Sequence, residues 1–208
     1  MLHASKIKQK AFFSIYLKQI NLMKVLFVLF ILGMIYGAAL IGLNQDEAVG
    51  QLGGVMQRFI SKRAEQSVFI TLVSSFCSSM VLTIVLFFVG FFSIGQPVAF
   101  FVPVFQGLGI GLSTAYLYAS KGIGGIIFCL LLIAPTAVVS TFSLLLGSRE
   151  SIRFSNKNLK MLFPQKFKQD MQGELGLYLK RFAALAFFQA VSAIVDAVCT
   201  FLFARFLI

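Results

Sequence analysis

The stretch VFITLVSSFCSSMVLTIVLFFVGFFSI, residues 68–94, decides the structural class of this chain. It runs for 27 residues without one Asp, Glu, Lys or Arg. An uncharged apolar run of 18 or more residues is typical of a transmembrane helix, because a helix satisfies its backbone polar groups internally where no water can do so. The stretch therefore predicts a helix that crosses a membrane.

Four further apolar runs lie at residues 25–43, 98–119, 122–147 and 182–208. The 19 residues of the first run would make a helix of about 28 Å, close to the roughly 30 Å of a hydrocarbon core. We therefore predict an all-α membrane protein, a polytopic bundle of about five transmembrane helices. Residues 1–208 are expected to form a single transmembrane domain.

The composition agrees with a membrane environment and excludes most soluble classes. Hydrophobic residues make up 59% of the chain and charged residues 12%, against about 45–50% and 25% in soluble domains. The net charge of +11 does not indicate nucleic-acid binding, because the basic residues flank apolar runs, where they face lipid headgroups. Cys77, Cys129 and Cys199 lie inside apolar runs and are read as buried hydrophobic side chains. No metal and no cofactor are expected.

The distribution of Lys and Arg predicts the orientation in the membrane. Five precede the first run and eight lie between the fourth and fifth, whereas the opposite side receives five. Cytoplasmic loops carry the excess of positive charge. We therefore predict a multi-pass protein of the cell membrane with its N-terminus in the cytoplasm and its C-terminus outside, and a first run that is retained as a span.

Three polar segments, at about 3–22, 45–63 and 163–181, have the spacing of amphipathic helices. In the second, Asn44 and Glu47 resemble a capping box at the start of a helix with one apolar face. In the third, apolar residues at three- and four-residue steps are expected to run into Phe182, although Gly173 and Gly176 count against a helix there. The apolar residues of these two faces are Leu52, Val55, Met56 and Phe59, and Phe163, Phe167, Met171, Leu175 and Tyr178.

Small residues at four-residue intervals predict close helix packing. The first run carries Gly33 and Gly37, and the third carries Gly107, Gly111 and Ala115. Such rows let two backbones approach closely in lipid. They are compatible with packing inside one protomer or with an interface to a partner or a second copy, including a homodimer.

Gln189, Ser192 and Asp196 lie on one face of the fifth run. A carboxylate inside a span is costly unless it is paired, protonated or hydrated. Two interpretations stay open. In the first, the face has a function, either as a path for a solute or proton or as a contact to a partner helix. In the second, it is a hydrogen-bonded packing network.

Pro103 and Pro135 are expected to kink the third and fourth spans.

The inventory for catalysis is poor. The only histidine is His3, in the N-terminal arm, and no HExxH or GxSxG motif occurs. The sequence therefore does not predict an enzyme.

Residues 90–155 carry a more specific pattern. They include Gly90, the turn Gly95, Gln96 and Pro97, and the run GLGIG at 107–111; further along come Tyr116, Tyr118, Pro135 and the sequence Arg149, Glu150, Ser151. With the first span and the overall layout, this segment resembles the stage II sporulation protein M family of endospore-forming bacteria.

The resemblance implies a membrane protein of the mother cell that is needed for engulfment of the forespore. It implies two peptidoglycan-degrading partners, the stage II sporulation proteins D and P, held at the septal membrane. The chain would then be a non-enzymatic anchor and organiser, with membrane lipids around it and no nucleic-acid partner. The rival hypothesis is a small-solute transporter, or the membrane subunit of one, with Asp196 in the pathway. Residues 95–97 could form a cytoplasmic turn or a re-entrant bend.

Overall fold

A computed structural model describes residues 2–43, 54, 67–161 and 171–207 of the chain. Side chains are described for all of these except 2–20, 160–161, 171–172 and 203–207. Every regular element within these ranges is a helix, and they contain no strand. The predicted all-α class is confirmed.

Six α-helices and one π-helical turn make up the described fold. They are α1 (Leu2–Leu43), α2 (Val68–Phe91), α3 (Gln96–Lys121), α4 (Ile123–Phe128), the π turn (Cys129–Ile133), α5 (Ala134–Met161) and α6 (Met171–Leu207). Five segments in the described ranges are long and apolar enough to cross a membrane, as the sequence predicts. These are Asn21–Leu43, Val68–Phe91, Gln96–Lys121, Ile123–Leu159 and Gly173–Leu202.

The ends of the fourth and fifth spans differ from the predicted ones. The fourth predicted run stops at residue 147, but α5 continues to Met161, and α6 begins at Met171 rather than at Phe182. The apolar run ends early because residues 148–161 are rich in Ser, Asn and charged side chains. Several of these polar side chains face a neighbouring helix, so the helix continues without an apolar sequence.

The spans pack as a pair joined to a group of three. Helix α1 packs most extensively on α3, while α2, α5 and α6 contact one another, and α5 also touches α1 and α3. The main core is built where these groups meet, around Leu26, Leu86, Leu145 and Leu185. Large apolar side chains cover the outside: Phe101 is 71% exposed and Phe187 69%. Such a surface suits lipid as the surrounding solvent.

The two prolines inside spans have different consequences. Helix α3 continues through the buried Pro103. Pro135 lies two residues after the end of the π turn Cys129–Ile133. A proline ring clashes with the carbonyl four residues earlier and cannot donate to it, and a π turn widens the helix at that level. The fourth span, for which the sequence predicts a kink at Pro135, thus carries a local π-helical turn just before that proline.

The connection between α2 and α3 is a tight turn of residues 92–95. The two helices hold 24 and 26 residues, which at about 1.5 Å per residue makes each longer than a hydrocarbon core of about 30 Å. Both are therefore long enough to cross completely, and this length favours a turn at a membrane surface over a re-entrant bend.

The predicted amphipathic segments fall partly outside the description. Segment 45–63 lies outside the described residues apart from Gly54, and so do residues 163–170 of the third segment. Residues 171–181 are helical and form the start of α6, in spite of Gly173 and Gly176. Segment 3–22 is helical and continues into the first span without a break.

Candidate functional site

The glycine rows of the first and third spans lie against each other. A Cβ atom added to Gly33 would lie 2.3 Å from the carbonyl oxygen of Val104, and one added to Gly107 would lie 2.1 Å from that of Phe30. Gly37 and Gly111 are equally close to the backbone of the opposite helix. Since no side chain could occupy these positions, the two backbones touch. The rows are therefore filled by packing within the protomer.

Other small residues of the same helices are not covered in this way. Added Cβ atoms at Gly42 and Gly109 would have no atom of the described residues within 4 Å. Ala115, the next member of the predicted row on α3, is half-buried. The close contact of α1 and α3 thus involves one face of each helix.

Serines of α5 bind the carbonyl end of α2. The Ser155 hydroxyl donates to the carbonyl oxygen of Phe92 at 2.7 Å and to that of Ser93 at 3.2 Å. The Ser151 hydroxyl donates to the carbonyl oxygen of Leu86. The last carbonyls of a helix have no partner within it, and in a membrane an unpaired one is costly. Ser155 therefore satisfies carbonyl groups at the C-terminal end of α2, Ser151 binds a carbonyl inside this helix, and both join α2 to α5.

Tyr178 of α6 reaches the same part of α2. Its hydroxyl donates to the carbonyl oxygen of Phe87 at 2.8 Å, and its ring stacks on Phe154 with centroids 4.2 Å apart. A Cβ atom on Gly90 would lie 2.2 Å from the Tyr178 hydroxyl oxygen. Gly90 thus leaves the space through which Tyr178 reaches α2, and one tyrosine ties three helices together.

The turn Gly95, Gln96, Pro97 is attached to α5. The Gly95 backbone N–H donates to the carbonyl oxygen of Phe92 at 3.0 Å, and an added Cβ there would lie 2.1 Å from the carbonyl oxygen of Val89. The Gln96 side-chain amide donates to Asn156 at 3.0 Å. Pro97 lies in the first turn of α3, where its missing N–H costs nothing. The turn is thus both tight and anchored.

A buried carboxylate joins α5 to α6 near the same end of the bundle. Glu150 is 5% exposed; it pairs with Arg149 at 2.8 Å and, through its other oxygen, with Arg181 of α6. Lys157 and Glu174 form a second ion pair between these helices. Removing one partner of a buried ion pair leaves an uncompensated charge. The buried Glu150 therefore favours one relative position of α5 and α6, and the partly exposed Lys157–Glu174 pair adds a weaker link.

Asp196 lies at a junction of three helices. It is 2% exposed and accepts hydrogen bonds from Ser75 of α2 and from Thr136 of α5, the latter at 3.3 Å. Each carboxylate oxygen therefore has a hydroxyl donor on another helix. Such an arrangement lowers the cost of a polar group in the membrane and joins the three helices to one another.

The other two residues of the predicted polar face lie in the same interface. The Gln189 amide donates to the Thr83 hydroxyl at 3.3 Å, and the Ser192 hydroxyl donates to the carbonyl oxygen of Thr136 at 3.2 Å. One turn apart, the three residues form a polar row along α6. The sequence places them on one face but does not reveal which residues of α2 and α5 they meet.

The sequence reading named Ser151 only as part of the family pattern, and it missed the buried row of serines at the polar end of α5. Ser148, Ser151 and Ser155 are fully buried, and their spacing of three and four residues is a helical signal that a hydropathy window does not detect. The described residues contain no group of three or more His, Cys, Asp or Glu side chains that could hold a metal ion. The polar side chains described above form contacts between helices.

Comparison with known proteins identifies a family whose model matches this chain. The family model of stage II sporulation protein M matches residues 26–201, which include all five spans except the first few residues of the first and the last residue of the fifth. No curated protein and no solved structure matches the chain significantly. The match covers most of the chain and includes Gly90, the Gly95 turn and the buried Glu150. The chain belongs to the stage II sporulation protein M family.

Proposed function

We propose that this chain is a non-enzymatic membrane scaffold that holds peptidoglycan-remodelling partners at the septal membrane during engulfment of the forespore. The observation that carries the proposal is the match to a sporulation family over residues 26–201. The expected partners are the stage II sporulation proteins D and P. In this proposal the partners perform the wall chemistry and the chain positions them.

The use of polar side chains supports a scaffold. Within the described spans, Ser151, Ser155 and Tyr178 bind carbonyl groups of a neighbouring helix. Asp196 accepts from hydroxyl groups on two others. A nucleophile would need a neighbouring general base and an open position for substrate. These groups instead hold the bundle in one arrangement.

The close α1–α3 contact directs partners to other surfaces. Because Gly33, Gly37, Gly107 and Gly111 are covered by backbone of the same protomer, a partner helix cannot use them without opening the bundle. Apolar side chains such as Phe88 of α2 and Phe187 of α6 remain exposed. Partner segments would meet the protein on faces of this kind, within the membrane.

Co-purification tests the proposal directly. The chain carries an affinity tag, is extracted in mild detergent from sporulating cells, and its companions are identified by mass spectrometry. We expect the stage II sporulation proteins D and P, at several times their recovery from cells that express an untagged chain. Recovery of neither partner, with the tagged chain intact and monodisperse, would reject the scaffold role.

Two further measurements separate the scaffold from its rivals. The purified chain alone should release no soluble fragments from isolated peptidoglycan, whereas the recovered assembly should release them. Replacing Asp196 by Asn keeps an oxygen acceptor and should leave co-purification unchanged. A membrane-vesicle uptake activity that disappears in Asp196→Asn would favour the transporter hypothesis.

A further inference from the structure

Polar side chains join α5 to α6 at successive levels along the two helices. At one level, the Thr136 hydroxyl donates to Asp196 at 3.3 Å, and the carbonyl oxygen of Thr136 accepts from the Ser192 hydroxyl at 3.2 Å. Two turns further along α5, the Ser143 hydroxyl donates to the carbonyl oxygen of Leu185 at 3.3 Å. The two antiparallel helices therefore keep one register over this stretch.

Ser140 and Gln189 face each other at the level between these contacts. Ser140 lies between Thr136 and Ser143 on the same face of α5, and Gln189 follows Leu185 by one turn on the corresponding face of α6. Ser140 is 8% exposed and Gln189 1%. In the part of the chain that the structure describes, no direct hydrogen bond joins these two side chains. This level thus lacks the polar contact that is present on both sides of it.

The Gln189 side-chain amide has a partner at only one of its two ends. Its Nε2 donates to the Thr83 hydroxyl of α2 at 3.3 Å, whereas its Oε1 is buried and accepts no hydrogen bond from the described residues. In either orientation of the amide, the single Thr83 hydroxyl can serve one end only. A buried polar atom without a partner is costly, and native structures usually satisfy it with protein or with ordered water.

Water is the group that fits this position. Lipid does not reach a side chain that is 1% exposed in the middle of the span Gly173–Leu202. The undescribed parts of the chain adjoin span ends in sequence. A cation would favour a carboxylate ligand, and Asp196 lies seven residues further along α6, about 10 Å away along the helix axis. A water molecule needs only two to four polar partners.

We propose that one water molecule binds between Gln189 and Ser140 and bridges α6 to α5. The water donates one hydrogen to Oε1 of Gln189 and the other to Oγ of Ser140. This Oγ can accept, because its own hydrogen is donated to the carbonyl oxygen of Ala137 at 3.3 Å. The water thus supplies the missing contact at this level. The site does not depend on the proposed scaffold role.

A crystal structure from a lipidic mesophase, at a resolution that shows ordered water, tests the site. We expect one water about 2.7–3.2 Å from both the Gln189 amide and the Ser140 hydroxyl. Gln189→Met keeps the length of the side chain and removes its polar end, so the water should be absent. Ser143→Ala removes the direct contact at the next level and should leave the water in place. A direct bond between Gln189 and Ser140, or protein atoms filling the space between them, would overturn the proposal.

Nuclear magnetic resonance of the protein in perdeuterated micelles provides a second test. The side-chain amide protons of Gln189, assigned from the signal that Gln189→Met loses, should show a nuclear Overhauser effect to water. Gln96, which is partly exposed at the start of α3, serves as the positive control. Ser140→Val fills the space with an apolar side chain and should abolish the effect at Gln189 but not at Gln96. No effect at Gln189 in the wild type, or an unchanged effect in folded Ser140→Val, would contradict the bridging water.

Discussion

At the scale of single residues, the glycines of the first and third spans allow a backbone contact that any larger residue would prevent. Gly107 and Gly111 meet the backbone of α1 at distances where an added Cβ would overlap a carbonyl oxygen. Lipid tails give two helices no hydrophobic reason to associate, so close van der Waals packing must supply the attraction. The α1–α3 pair therefore depends on the absence of side chains.

The effect of one methyl group at Gly107 follows from this contact. Gly107→Ala should lower the free energy of unfolding by about 1–3 kcal/mol, the range for overpacking of a filled interior. The measurement is unfolding in mixed detergent micelles, followed by helical circular dichroism.

Gly109 provides the matched control on the same helix. No atom of the described residues lies within 4 Å of its added Cβ, so Gly109→Ala should be neutral, or stabilising by up to about 1 kcal/mol through helix propensity. Equal losses in the two variants would contradict a direct backbone contact at Gly107.

Asp196 illustrates how far one residue can be understood from sequence. Its position inside an apolar run already indicates that the carboxylate needs a partner. The sequence leaves a solute path and a packing network as alternatives. In the structure, hydroxyl groups of Ser75 and Thr136 bind its two oxygens, and 2% of the residue is exposed. This arrangement favours the packing network.

At the scale of elements, α5 is held by polar contacts beyond the point where its apolar run ends. Glu150 pairs with Arg181 of α6, and Ser151 and Ser155 bind carbonyl groups of Leu86 and Phe92, in and just after α2. Hydropathy alone ends the fourth span at residue 147, because these side chains are polar. Their buried position depends on helices that are distant in sequence, which a local window cannot include.

The ion pair of Glu150 and Arg181 provides a test at this scale. Arg181→Met should lower the free energy of unfolding by about 1–2 kcal/mol. This is less than the roughly 3–5 kcal/mol for breaking a buried pair, because the Arg181 side chain is 41% exposed and water screens its charge.

A double-mutant cycle with Glu150→Gln isolates the interaction, since this change removes the buried charge that Arg181 compensates. The double variant should lose less stability than the sum of the two single losses. Losses that simply add, measured by the same detergent unfolding, would show that the two side chains do not interact.

At the scale of the whole molecule, the sequence predicts the class and the number of spans because both depend on long apolar runs alone. It also predicts that glycine rows pack closely. It cannot tell that Gly33 and Gly37 meet α3 and not another protomer, because both choices bury the same surface. The pairing of α1 with α3, and of α2 with α5 and α6, follows from the three-dimensional arrangement of all five spans.

For function too, the sequence predicts the general class but not the contacts: it indicates the family and not the faces that bind partners. The segment from Gly90 to Ser155 resembles a sporulation family, and the match over residues 26–201 confirms it. The faces on which partners would bind are not indicated by small-residue rows. They must be sought among the apolar side chains that the bundle leaves exposed.

The account rests on five spans that cross the membrane in alternating directions from a cytoplasmic N-terminus. Labelling of single cysteines tests this most directly, in a chain whose Cys77, Cys129 and Cys199 are replaced by Ala. Ile94, in the α2–α3 turn, is 82% exposed, and Ile123, at the start of α4, is 76% exposed. In intact protoplasts, a membrane-impermeant maleimide should label Ile123→Cys, and it should label Ile94→Cys only after the membrane is opened. Labelling of both positions from the same side, or of Ile94→Cys alone in intact protoplasts, would contradict the account.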